Sequence, residues 1–380
     1  MAKYGNVPDI NTFASEFPHF DFIQVNESPS YLIDKLYEDR NARKLSTLFN
    51  KIRQEFNDGD IDKAMNTYLS SMNDIAKAKH IESIDLLRDT SRYDAFIDRA
   101  DDWKKFFVKT GFPELDEIIG GWDRQEELAT IVARSNMGKS WILLKCACAA
   151  AEQGLNVGIY SGEMSERKVG YRVDTLIGHI SNTALTKGNI EVQNEYKQYL
   201  DSLPNKFTGT MKVLTPNMIG GPAGVTALRA FIEKDNLDIL FVDQHSLLED
   251  DRKAKNPVEK ASNISKDLKN LQVLKQIPII SVSQQNRAST ENGVGLEHIA
   301  QSDRIAQDST IVLFFEQKEG IITMHLVKSR DSANMKDLSY AVDLNRGIFT
   351  YIPTENDALE NGDQIQNLLD EYEATEEDIF

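Results

Sequence analysis

The stretch IVARSNMGKSWILL, Ile131 to Leu144, decides the fold: a buried apolar strand runs into a polar loop and then into the start of a helix. Its centre, from Ala133 through Arg134, Ser135, Asn136, Met137, Gly138 and Lys139 to Ser140, is the phosphate-loop pattern with alanine in place of the first glycine. Each residue type has a physical reason. Gly138 lets backbone N–H groups close on phosphate oxygens, Lys139 reaches the β- and γ-phosphates, and the Ser140 hydroxyl is a ligand for Mg²⁺. The helix that follows points its positive end at the same anion. Alone, the stretch could also be a chance loop between a strand and a helix, so the residues downstream decide.

From Leu128 onward short apolar runs alternate with helical ones: LATIV, the helix after Ser140, VGIY (157–160), a helix from Ser165, ILFV (239–242), a helix from Glu259 to Lys275, IPIISVS (277–283) and TIVLFF (310–315). Such alternation predicts an α/β fold, a mostly parallel sheet with helices on both faces. ITMHLV (322–327), SYAVDL (339–344) and IFTYI (348–352) then follow closely, with Asn345-Arg-Gly347 between the last two. These read as antiparallel strands and turns along one edge of the sheet.

The remainder of the chain sets bounds. At 380 residues, 41% hydrophobic and 27% charged, it has room for one large domain or one domain with a smaller partner. No apolar run has the length of a membrane span and MAKYGNVPDINTF lacks a signal-peptide pattern, so the expected location is the cytoplasm, with no membrane partner. The two cysteines, Cys146 and Cys148, fall on the helix after the phosphate loop and read as small core residues; they exclude a zinc cluster. The net charge of −17 argues against nucleic acid at first sight. Ten negative charges, however, sit in the last 27 residues, which carry no Lys or Arg, leaving −7 for the rest. Local basic loops are enough for a protein that surrounds a strand in a channel.

Ahead of the sheet, residues 1 to about 30 show no sustained period. From Tyr31 the pattern is helical: Leu45, Leu48, Phe49, Ile52 and Phe56 share one face, as do Ile61, Met65, Tyr68, Leu69 and Met72, with Asp58-Gly59-Asp60 as stop and N-cap between them. A third helix is predicted from Ile81 to Arg88, and Asp89 to Val108 reads as a linker with some helix. The expected layout is an N-terminal helical region and linker over 1–108, the α/β core over 109–353 and an acidic tail over 354–380.

Asp243 ends the apolar run Ile239-Leu-Phe-Val, at the edge of an open sheet where ligands bind, and is a second candidate for Mg²⁺. Glu163, in Ser161-Gly-Glu163-Met-Ser165, brings another carboxylate to that edge; it can polarise an attacking water, or simply favour the helix start at Ser165. Gln284 ends a third core strand, where a neutral amide can sense a γ-phosphate; standing alone it would read as a polar strand end before a surface loop. Lys328 and Arg330 end an edge strand; Arg330 suits an arginine finger acting on a nucleotide held by a neighbouring subunit, and alone would be an ordinary exposed cation.

With Thr110-Gly-Phe-Pro-Glu-Leu-Asp116 and Gly120-Gly121, Ala133 to Ser140, Glu163-Met-Ser165, Val242-Asp243, Ser283-Gln284 with Asn286-Arg287, and Lys328-Ser-Arg330, the chain resembles the ATPase domain of DnaB-type replicative helicases over about Lys109 to Ile352. It looks like a phage or otherwise divergent member, and alanine at the first phosphate-loop position is usual there. The resemblance implies a RecA-like core, a hexameric ring with ATP and Mg²⁺ between subunits, and 5′ to 3′ movement on single-stranded DNA. It assigns Glu163 as the catalytic glutamate, Asp243 as the metal acid, Gln284 as the sensor, and Lys328 with Arg330 as groups donated in trans. Two channel loops would carry Arg252, Lys253 and Lys255, then Arg287, toward DNA phosphates. Primase, a helicase loader and a single-stranded-DNA-binding protein are the implied partners.

The chain also departs from that pattern. Gln-His-Ser-Leu-Leu follows Asp243 where the family has Tyr-Leu-Gln-Leu-Met, and Asp331-Ser-Ala follows Arg330 where a glycine is common. The N-terminal part resembles mainly the family's helical linker, so a primase-binding collar is expected to be reduced. The acidic C-terminal stretch reads as a solubilising tail or as a docking or DNA-competing segment. The alternative function is a regulatory or recombination ATPase of the same fold that does not unwind DNA.

Overall fold

The computed structural model describes residues 15–19, 29–61, 63, 64, 67, 68, 84–134, 137–252, 254–284, 303–330 and 336–353, within two compact units, Met1–Thr90 and Ser91–Phe380. The acidic stretch from 354 onward lies outside the described residues.

In the first unit, α1 spans Pro29–Asn57 and ends where the sequence predicts: Gly59 turns the chain at φ 82°, and the Asp60 carboxylate accepts the Lys63 N–H at 3.2 Å. Of the expected stripe Leu48 is buried, while Phe49 and Phe56 remain 57% and 61% exposed. The helix predicted from Ile81 to Arg88 is not formed in its described part. There Asp85 closes a turn: its carbonyl accepts from the N–H of Arg88 and Asp89, and its carboxylate accepts from Leu87. An aspartate bonding locally to its own backbone competes with a helix, which accounts for the difference. The helix starts later, as α2 (Ser91–Asp101), with Asp94 in its first turn and Arg99 in its last, as the helix dipole favours. It groups with the second unit.

That unit is built on a nine-stranded sheet. After the small antiparallel pair β1 (Phe107–Val108) and β2 (Trp122–Asp123) come β3 (Leu128–Ala133), β4 (Val157–Ser161), β5 (Met211–Leu214), β6 (Ile239–Asp243), β7 (Ile279–Gln284), β8 (Ile311–Lys318), β9 (Ile321–Lys328), β10 (Asp337–Asp343) and β11 (Ile348–Ile352). The sheet order is β11-β10-β9-β8-β3-β7-β6-β4-β5, and the six strands from β8 to β5 run parallel. Strands β9, β10 and β11 extend it antiparallel, as their close spacing implied.

Helices α3 (Pro113–Ile119), α4 (Lys139–Glu152), α5 (Glu166–Gly178), α6 (Asn182–Lys187), α7 (Gln193–Lys206), α8 (Pro216–Ile219), α9 (Val225–Asp235), α10 (Pro257–Lys275) and α11 (Asp303–Asp308) complete the unit. Alternate residues of the central strands face opposite layers. Ala129 and Ile131 of β3 and Ile239 and Phe241 of β6 pack in one core with Ile142, Leu143 and Ala147 of α4. Leu128, Leu240 and Val242 pack on the other face with Ile264, Leu268 and Leu271 of α10. Each fully buried side chain of this kind contributes roughly 1.5–3 kcal/mol relative to exposure. Cys146 and Cys148 are buried, and burial pushes the Cys148 thiol up to about 12. No helix of the described residues is long and apolar enough to cross a membrane.

Candidate nucleotide site

Four parallel strands end side by side. Ala133 of β3 is in register with Gln284 of β7, and Ser161 of β4 with Asp243 of β6, so the phosphate loop, the amide and the carboxylate reach one edge. Ser135 and Asn136 lie outside the described residues, and Arg134 and Met137 flank them. Gly138 caps α4 at φ 72°. A Cβ there would meet Ile322 and Leu344 at ordinary contact distances of 3.6 and 3.7 Å, so the left-handed backbone, and not crowding, calls for glycine.

A cavity of about 380 Å³ opens at this edge, lined by Gly138, Lys139, Ser140, Glu163 and Gln284 from the expected set. Lys139 is buried, and its Nζ finds no partner among the described residues; burial pulls its pKa down, against the opposing pull of Asp243 and Glu163. Asp243 is 2% exposed and its Oδ2 is likewise unpartnered. Burial pushes its carboxyl up, and the hydrogen bond from the Ser140 hydroxyl opposes that most. A buried ammonium and a buried carboxylate left incomplete at one edge of the sheet form a half-satisfied network, which is costly unless something completes it. Phosphate oxygens match the ammonium, and a hard divalent cation matches Asp243 with Ser140. Glu163 is exposed at the mouth.

Four lining residues lie outside the expected site set: Trp141, Met164, Arg172 and Leu344. Arg172 had a usable signal, since it lies seven residues beyond the N-cap Ser165 and so on the same helix face. Leu344 arrives from the turn between β10 and β11, which local sequence does not connect to the phosphate loop. Burial lowers the pKa of Arg172, opposed by Asp243 and Glu163.

Lys328 and Arg330 lie elsewhere. Strand β9 runs against β8, with Lys328 in register with Val312 near the start of β8, so both cations are at the sheet edge opposite the phosphate loop. Lys328 Nζ donates to the carbonyls of Ala306, Gln307 and Ser309 at 2.6, 3.2 and 2.6 Å. An ammonium has three donors, and in the single chain all three cap the end of α11. Arg330 is exposed.

The expected DNA contacts divide similarly. Arg252 Nε donates to Asp267 of α10 at 3.1 Å and a terminal nitrogen reaches the Asn263 carbonyl at 3.3 Å. In the single chain it braces its loop against α10. Lys255 is exposed, and Lys253 and Arg287 lie outside the described residues.

Among known proteins, the family described as DnaB-like helicase C terminal domain matches residues 108–342. A probable plasmid replicative DNA helicase of Chlamydia psittaci is 28% identical over 217 residues, 56% of this chain and 47% of that protein. The replicative DNA helicase DnaB of Treponema pallidum (strain Nichols) is 26% identical over 225 residues, 59% of this chain and 51% of that one. The chain spans about half the length of these curated relatives. A solved DnaB-like replicative helicase, described with its interactions with primase, superposes with a TM-score of 0.67 at 20% identity, covering 86% of this chain and 80% of that one. That likeness is one of fold.

Proposed function

The chain belongs to the DnaB-like helicase C-terminal domain family, and from that premise we propose that it is an ATP-driven motor that moves on single-stranded DNA and separates duplex. The observation that carries the reading is the buried Lys139 Nζ, without a partner among the described residues, in a cavity shared with Ser140, Glu163 and Gln284, with the buried Asp243 carboxylate accepting from Ser140 beside it.

Lys139 and the Gly138 backbone hold the β- and γ-phosphates of ATP. Ser140 and Asp243 hold Mg²⁺, which supplies charge neutralisation at those phosphates. Glu163 orients and polarises the attacking water, and Gln284 registers the γ-phosphate through a neutral amide. Arg330 stabilises the developing charge from the adjacent subunit of a ring, taken as a hexamer, while Lys328 fixes the strand end that presents it. The loops after Asp243 and Gln284, with Lys255, Lys253 and Arg287, track DNA phosphates in the 5′ to 3′ direction. Primase, a loader and a single-stranded-DNA-binding protein are the partners this reading carries.

The test is ATP turnover by the purified protein with and without single-stranded DNA, alongside Lys139→Ala and Glu163→Gln, followed by strand separation on a forked duplex. DNA-stimulated turnover abolished by both substitutions, with unwinding of the fork, is expected. Turnover indifferent to DNA would instead favour a regulatory ATPase of the same fold.

A further inference from the structure

Trp141 follows the phosphate-loop serine on the first turn of α4, and Arg172 reaches its face from α5, with the guanidinium carbon 5.1 Å from the ring centroid. Both line the cavity that holds Lys139, Glu163 and Gln284. The indole is 8% exposed, so packing fixes its plane. The backbone that carries Arg172 is fixed as well. The turn at Asn345 bonds to residues 181–183, with the Thr183 N–H donating to Asn345 Oδ1 at 2.9 Å, just beyond the end of α5. The contact that holds the Arg172 side chain itself is the ring.

The manner of holding matters. A guanidinium clamped by a carboxylate has spent two of its five donors, whereas one stacked on a ring keeps all of them in its plane. Among the described residues no carboxylate forms an ion pair with Arg172. Asp243 and Glu163 act on it through space; Glu163 and Gln284 line the same cavity, and in the proposed function they stand where the terminal phosphate of a triphosphate falls. A terminal phosphate brings extra negative charge beside two carboxylates, and a diphosphate does not. A cation with free donors at that point separates the two ligands.

We propose that Trp141 is a positioning residue whose π face holds Arg172 as the group that tells a nucleoside triphosphate from a diphosphate in this cavity; the proposal rests on the phosphate-binding reading of the site. Trp141 touches no reacting atom and acts through Arg172.

The experiment is calorimetric titration of the full chain with ADP and with the β,γ-imido analogue of ATP, both with Mg²⁺, on the unaltered protein, Trp141→Phe, Trp141→Leu and Arg172→Lys. Leucine fills space without a π face, so Trp141→Leu is expected to cut the preference for the triphosphate analogue about tenfold while ADP affinity is unchanged. Trp141→Phe keeps the face and is expected to keep the preference. Arg172→Lys leaves the indole packed but removes the planar fork, and is expected to lose the preference to the same extent. Equal behaviour of the Phe and Leu variants, or full preference in Arg172→Lys, would overturn the inference alone. An unaltered chain that binds neither nucleotide would overturn the phosphate-binding reading, and this inference with it.

Discussion

His245, two residues beyond the Asp243 carboxylate, is 2% exposed, and its Nε2 has no partner among the described residues. Burial lowers its pKa from 6.5 to about 4. Between those values the unfolded chain takes up a proton that the folded chain refuses, so stability is full above the unfolded pKa and is lost as pH falls toward the folded one. The loss is at most about 3 kcal/mol. Thermal melts between about pH 7 and about pH 4 are expected to show this slope, and His245→Leu to flatten it; an unchanged slope in the variant assigns the effect to other groups. Lys139 raises a related question for the protein without added nucleotide, because its buried ammonium has no partner among the described residues. Lys139→Met is expected to stabilise that state by about 1 kcal/mol while abolishing the shift in melting temperature caused by ATP and Mg²⁺. A destabilised Lys139→Met would mean that the ammonium is better solvated than its burial indicates.

At the scale of elements, the turn between β10 and β11 ties the antiparallel edge of the sheet to α5. Gly347 has φ 67°, and a Cβ there would lie 2.7 Å from the Thr175 carbonyl oxygen and 2.8 Å from the Leu176 Cα. Both neighbours are backbone, so neither yields cheaply. Gly347→Ala is expected to cost about 1–3 kcal/mol and, because the same turn carries Leu344 into the nucleotide cavity, to weaken ATP binding as well. Stability lost without a change in ATP affinity would show that the turn and the cavity are independent. This tie also marks how far the sequence could be read. Strands buried on both faces, such as Ile239 to Asp243, are continuous apolar runs and declare themselves, and the acids and amides at their tips come with them. Strand β5, at the exposed edge, has no such run, and the turn at Asp85 depends on a side chain bonding to its own backbone. The contribution of Leu344 and the capping of α11 by Lys328 are long-range contacts that local pattern does not encode, whereas Arg172 shares a helix face with Ser165 and was within reach of the sequence.

For the whole molecule, the decisive feature is that Arg330 and the phosphate loop occupy opposite edges of one sheet, so a single chain cannot bring its own Arg330 to its own nucleotide without leaving this fold. A head-to-tail assembly solves the geometry, since each interface then joins the phosphate-loop edge of one subunit to the Arg330 edge of the next. Arg330→Ala and Lys139→Ala chains should each be inactive alone, for different reasons. Mixed in equal amounts and allowed to exchange, they should recover turnover. An interface is whole when the Arg330→Ala chain supplies the phosphate loop and the Lys139→Ala chain supplies the arginine, which random mixing gives at roughly a quarter of interfaces. Recovery toward that fraction is the expected outcome, read as ATP turnover against the mixing ratio. If turnover passes from site to site around the ring, the recovered rate falls below the fraction of whole interfaces, because isolated intact sites wait on broken neighbours. Complete absence of recovery after demonstrated subunit exchange, with each variant still binding its expected ligands, would place Arg330 outside the neighbour's site.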